Sequence, residues 1–192
     1  MARYFGDRTA ELLGRLSLNP LRHIDPLGTV FIPGILLALH FPLLPPFGWA
    51  KPVPVVGSAL RRPRLALIMV ALAGPAANLL MALFWYAVLA VAFRIKSGST
   101  FGDWVALMAQ AGLLINVVLA VLNLLPIPPF DGGRVLAILL PPRIGARFER
   151  LASVGMFIVV GLAVLGLFNW LFDPTYRAIG HVINALETGS TT

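Results

Sequence analysis

The chain has 192 residues, 58% of them hydrophobic and only 12% charged, with a mean hydropathy of +0.87. Soluble domains carry about 25% charged residues, so this composition excludes an ordinary soluble domain and points to an integral membrane protein. The net charge of +7 does not indicate nucleic acid, because the basic residues cluster in loops between apolar segments. The absence of cysteine excludes disulfides, thiolate metal sites and thiol nucleophiles.

Residues 1–25 are polar and basic, with Arg3, Arg8, Arg15 and Arg22 set against Asp7, Glu11 and Asp25. They lack the apolar stretch of a secretory signal. Thr9 to Leu18 reads either as a short amphipathic helix at the membrane surface or as a polar lead-in. Leu27 to Phe47 is apolar but carries Pro33, Pro42, Pro45 and Pro46. No straight helix is expected past Phe41, so the segment either spans or enters and returns. In the loop from Gly48 to Arg64, the alternation Lys51-Pro52-Val53-Pro54-Val55 favours an extended backbone. It is a plain connection, or a free edge to which an extended peptide can hydrogen-bond.

Three charge-free runs follow: Leu65 to Phe93, Trp104 to Phe130 and Leu151 to Phe172. Each reaches the roughly 20 residues needed to cross a bilayer. In the first, Gly74, Ala76 and Ala77 offer a small-residue face for a neighbouring helix. Asn78 there reads as interhelical glue or as a partner for a substrate backbone. In the second, Asn116 and Asn123 lie two turns apart near one helix face, and Asp131 follows. Such a polar stripe faces protein or water. The third run has Ser153, Gly155, Gly161 and Gly166 as its small residues.

These features predict an all-α polytopic membrane protein. About three full transmembrane helices, the proline-interrupted segment and a short extended cytoplasmic loop form one membrane domain over residues 1–172. Residues 173–192 are expected to be a polar tail, disordered at its end. Lys51, Arg61, Arg62 and Arg64 in one loop, and Arg134, Arg143, Arg147 and Arg150 in another, place residues 48–64 and 131–150 in the cytoplasm. The tail then lies outside.

A carboxylate at the end of an apolar run, as at Asp131, is costly unless water, a partner or a metal compensates it. Asp131 can be a metal ligand, a proton or ion relay, or a helix-end residue at the headgroups. Its neighbourhood reads Asn123-x-x-Pro126-x-Pro128-x-x-Asp131-Gly132-Gly133, with Pro129 besides. The prolines are expected to break the helix before Asp131, and the glycines to let the backbone turn after it.

This segment resembles the Asn-x-x-Pro-x-Pro-x-x-Asp-Gly-Gly element of the site-2 protease family, the zinc intramembrane metalloproteases. Phe5-Gly-Asp-Arg-Thr-Ala10, Gly14 to Thr29, Phe47 to Val55 and Ala73-Gly-Pro-Ala-Ala-Asn78 look like further family segments in the same order. The likeness covers residues 4–142 and is closest to the compact bacterial branch without a PDZ domain. It implies a multi-pass protein of the bacterial inner or plasma membrane. Such a protein hydrolyses transmembrane helices of substrate proteins with water activated on one Zn2+. It further implies Asp131 as third zinc ligand, with Asn123, Pro126, Pro128, Gly132 and Gly133 in support. Asn78 would hold the substrate backbone or the oxyanion, and Pro52, Val53 and Pro54 would align an unwound substrate.

The family's other two ligands and its general base come from a His-Glu-x-x-His helix. The chain has no such motif: its histidines are His23, His40 and His181. The resemblance places that helix upstream of Met1, so the chain as written is expected to hold zinc weakly or not at all, and to be inactive. His23 is expected to bond locally to Asp25 or to backbone, His40 to pack, and His181 to face solvent. The alternative is a non-catalytic scaffold or substrate-binding protein derived from the same family. A small transporter using Asp131 as a relay would need further ionisable residues at membrane depth, and the runs 65–93 and 151–172 contain none.

Overall fold

The structure is a computed structural model. It describes residues 1–17, 19, 21, 24–38, 56–95, 100–152, 155, 161–162 and 165–189. Among the described residues all the regular structure is helical, with no strand. The Pro52–Pro54 edge, His23, His40 and nine of the 22 residues of the third apolar run lie outside the described residues. The chain divides into two units, Met1–Leu67 and Ile68–Thr192.

In the first unit, α1 (Thr9–Leu12) is a single turn. Of the two readings of this segment, the helix holds only for that turn, and the chain then bends where Gly14 adopts a positive φ of 64°, a conformation natural to glycine. Asp7, only 2% exposed, closes the opposite end of this segment. Its carboxylate accepts from the Thr9 backbone N–H at 2.9 Å, from the Thr9 hydroxyl, and from the distant Val56 N–H at 2.8 Å. The Arg61 N–H donates to the Phe5 carbonyl at 2.7 Å. The N-terminal residues are thus pinned to the segment that leads into the long helices.

These bonds favour the ionised carboxylate, and they hold Asp7 below its ordinary pKa of 3.8, the Thr9 hydroxyl contributing most. A depressed carboxylate stabilises the fold fully above its ordinary value and loses that stabilisation as pH falls through the lower folded value. Acidification below the ordinary carboxylate range should therefore release the Val56 amide to hydrogen exchange while α3 stays protected. Unchanged protection at Val56 would contradict the pin.

Asp25 caps the next element. Its side chain accepts from the Leu27 and Gly28 N–H groups, each at 3.0 Å, which satisfies donors a helix start leaves open. A wide π turn, Pro26–Phe31, continues into α2, Ile32–Ala38. Pro33 lies where the π turn passes into α2, inside a continuous helical run, and its missing N–H removes one backbone donor there.

Two long helices follow, α3 (Pro63–Ile95) and α4 (Thr100–Leu124). Arg62 at φ 54° turns the chain, and Pro63 opens α3 at the position proline favours. Both helices are long and apolar enough to cross a membrane. In the most apolar stretch of each, only 17% and 22% of residues are buried within the protein. A soluble core helix would be covered, so these surfaces suit lipid. The two candidate spans match the first two predicted runs. The second stops at Leu124 and not at Phe130, because the proline segment that follows leaves the helix.

In the second unit, α5 (Asp131–Leu139) and α6 (Pro142–Arg150) form a hairpin, and α7 spans Leu167–Gly189. Ala82, Leu89, Ala92 and Phe93 of α3 bury against Ala106, Ala109 and Leu113 of α4 and Ile179 of α7. Alanine dominates this core, so backbones approach closely. The Trp85 indole seats on Gly112: a Cβ there would stand 2.5 Å from Trp85 Cε2. Much of the segment expected to be a polar tail is thus helix, with Ile179, Ile183 and Leu186 applied to the core. Pro174 lies inside that helix.

Candidate functional site

The site begins where α4 ends. After Leu124 the chain leaves the helix through Leu125 to Phe130, with a cis bond between Pro128 and Pro129. Phe130 is extended (φ −71°, ψ 162°), and the next residue, Asp131, starts α5. Asp131 is therefore a first-turn carboxylate at the positive end of a helix, an arrangement that favours negative charge.

Gly132 and Gly133 correct a sequence expectation. They do not turn the backbone after Asp131 but belong to the helix itself. Their role is clearance. A Cβ on Gly132 would run into the carbonyl of Leu124 and stand 2.6 Å from that of Leu125. One on Gly133 would stand 2.5 Å from the carbonyl carbon of Ile127. All of these obstacles are backbone, which cannot swing aside. The two glycines let the first turn of α5 lie against the proline loop, and that fixes where Asp131 points. Pro128 is buried and Pro126 exposed. Gly155 packs onto the carbonyl of Pro128, which holds the loop from its other side.

The Asp131 carboxylate points at α3. A Cβ on Gly74 would lie 3.0 Å from Asp131 Oδ2, so this glycine makes room for an acidic oxygen. Asn78 sits one turn further along the same face of α3, about 6 Å on by the helical rise, and is half-buried. The sequence reading treated Gly74 as helix-packing surface. The structure gives it the carboxylate.

Asn123 is half-buried in the last turn of α4. Asn116 is committed within its own helix, its amide donating to the Gly112 carbonyl at 2.8 Å. The structure thus brings Asp131, Gly74 and Asn78 onto one facing pair of helices. The pinned Asp7 belongs to the other unit. Sequence reasoning passed over it, although the Asp-x-Thr spacing is itself a local capping signal.

Among the described residues no group of three or more His, Cys, Asp or Glu side chains stands close enough to hold a metal ion. A catalytic zinc takes three protein ligands and an open position. Asp131 supplies one donor, so the described residues alone do not fit zinc.

The family model of peptidase family M50 matches residues 93–166, the stretch that contains α4, α5 and α6. YwhC of Bacillus subtilis, whose name proposes a zinc metalloprotease, is 36% identical over 180 residues, 93% of this chain and 78% of that protein. Rip2 of Mycolicibacterium smegmatis, named in the same way, is 32% identical over 173 residues, 90% of this chain and 62% of its own length. Rip2 of Mycobacterium tuberculosis is 31% identical over 185 residues, 88% of this chain and 64% of its own. The chain therefore spans less than two thirds of either Rip2 protein. No solved structure matches it.

Proposed function

The chain belongs to peptidase family M50, and from that premise we propose that it is the membrane-embedded body of a zinc metalloendopeptidase that cuts transmembrane segments of other proteins. The single observation that carries the reading is the Asp131 carboxylate, held by two clearance glycines and aimed at a glycine notch in a candidate membrane span. A carboxylate placed so deliberately in apolar surroundings calls for a cationic partner, and the family's resident cation is zinc.

Asp131 would be one ligand. Membership of the family would place the other two ligands and the general base on a His-Glu-x-x-His helix, a motif that this sequence does not contain. About a fifth of YwhC lies outside its match to this chain, which leaves length for such a helix. Zinc, when bound, would supply an activated water for peptide hydrolysis. The chain's own residues do the positioning. Asp131 presents a fixed anionic donor. Asn78 presents an amide to a substrate backbone or developing oxyanion, and the Pro52–Val53–Pro54 edge is proposed to pair with unwound substrate. The protein would be multi-pass, in a bacterial plasma membrane, with the cut near the cytoplasmic face.

The second reading, a non-catalytic scaffold of the same family, rests on the same donor deficit. The reading frame upstream of Met1 separates the two. An apolar helix containing His-Glu-x-x-His is expected there. An in-frame stop directly before Met1, with no such motif, would favour the scaffold.

A further inference from the structure

We infer that the α5–α6 hairpin is a docking surface for the anionic headgroups of the cytoplasmic lipid leaflet. At 100° per residue, Arg143, Arg147 and Arg150 share one face of α6, while Ile144, Phe148 and the adjoining Leu151 share the neighbouring face. Gly145 lies on the side away from the arginines. It is buried there against α5, where a Cβ would collide with the carbonyl of Ala137. That contact fixes the rotation of α6. Its arginine face turns away from α5, and its apolar face stays open, with Ile144 53% and Leu151 45% exposed. Glu149, the one carboxylate of α6, falls off both faces.

A basic face beside an open apolar face lets a helix lie in the headgroup layer and dip its apolar side into the acyl boundary. Three observations choose lipid as the occupant. The hairpin follows directly from the α4 candidate span through a six-residue loop, 125–130, which tethers it to the membrane. Its arginines put it on the cytoplasmic side, where anionic lipid is concentrated. Gly74 lies roughly 16 Å along α3 from its start, and α5 rises roughly 14 Å, enough to climb from the depth of Asp131 back to the surface. The inference does not depend on zinc or on proteolysis.

The absence of cysteine makes site-directed labelling clean. A nitroxide on an Ile144→Cys variant of the whole chain is compared in phosphatidylcholine vesicles with and without phosphatidylglycerol, against a water-soluble paramagnetic quencher. A label at Leu114→Cys, on the α4 span, must be shielded in every preparation compared. The anionic lipid should shield the label at 144, and raised salt should reverse the effect. Each arginine near an anionic surface is worth roughly a five-fold preference. Arg143→Gln with Arg147→Gln should therefore weaken the lipid-dependent shielding roughly ten- to thirty-fold, while Arg143→Lys with Arg147→Lys should retain it. Equal quencher access in both lipids, unaltered by the glutamine pair, would overturn the assignment and leave the arginines to a soluble acidic partner.

Discussion

Replacing Asp131 by alanine, in a protein that carries the proposed upstream helix, should abolish cleavage of a membrane-embedded substrate while the protein still inserts. Loss of a residue that merely supports a metal ligand costs 10–100-fold in affinity or activity. Removal of a ligand itself should cost at least about a hundred-fold. The Asn78→Ala variant provides the contrast. Asn78 shares the face of α3 that meets Asp131 but is proposed to hold substrate or oxyanion, so it should lose rate and keep its metal. Equal metal loss in both variants would make Asn78 a structural support. Full activity in Asp131→Ala would overturn the ligand assignment.

The second large effect is expected from a single side chain at Gly133. A valine there would drive its Cβ to 2.5 Å from the carbonyl carbon of Ile127, and backbone cannot rotate out of the way. Overpacking of this kind costs about 1–3 kcal/mol. Here the strain is relieved most readily by shifting α5, which carries Asp131 at its first position. Gly133→Val should therefore impair metal retention as well as thermal stability. A charge-removing change at the neighbouring exposed Arg134, to Gln, should leave stability within about 0.5 kcal/mol. A Gly133→Val protein with wild-type melting and wild-type metal content would show that the clearance is not needed.

Much of the architecture was legible because the bilayer imposes a length and an apolarity that composition reveals directly. The runs beginning at Leu65 and Trp104 became α3 and α4 with boundaries moved by only a few residues, except where the prolines after Leu124 ended the second early. Asp131 stood out because a carboxylate closing an apolar run is energetically conspicuous. The geometry around it was not legible. Gly132 and Gly133 read as turn glycines, since sequence shows permissiveness and not what lies 2.6 Å away. Gly74 read as a helix-packing residue because nothing local records that a carboxylate from α5 arrives there. Asp7 carried a local signal in its Asp-x-Thr spacing, but its bond to Val56, far along the chain, was not legible. The polar composition after Asp173 suggested a tail. The apolar stripe of Ile179, buried, and Ile183 and Leu186, half-buried, at helical spacing carries it onto the core as part of α7.

The most direct test of the central claim is a metal analysis of two detergent-purified proteins, the chain as written and the chain extended by its upstream segment. The account predicts one tightly held zinc per molecule in the extended protein, lost on Asp131→Ala, and no stoichiometric zinc in the shorter chain. One tightly held zinc in the 192-residue chain would contradict it, because a histidine already present would then complete the centre. An extended protein that carries His-Glu-x-x-His and holds its zinc undiminished in Asp131→Ala would contradict it as well.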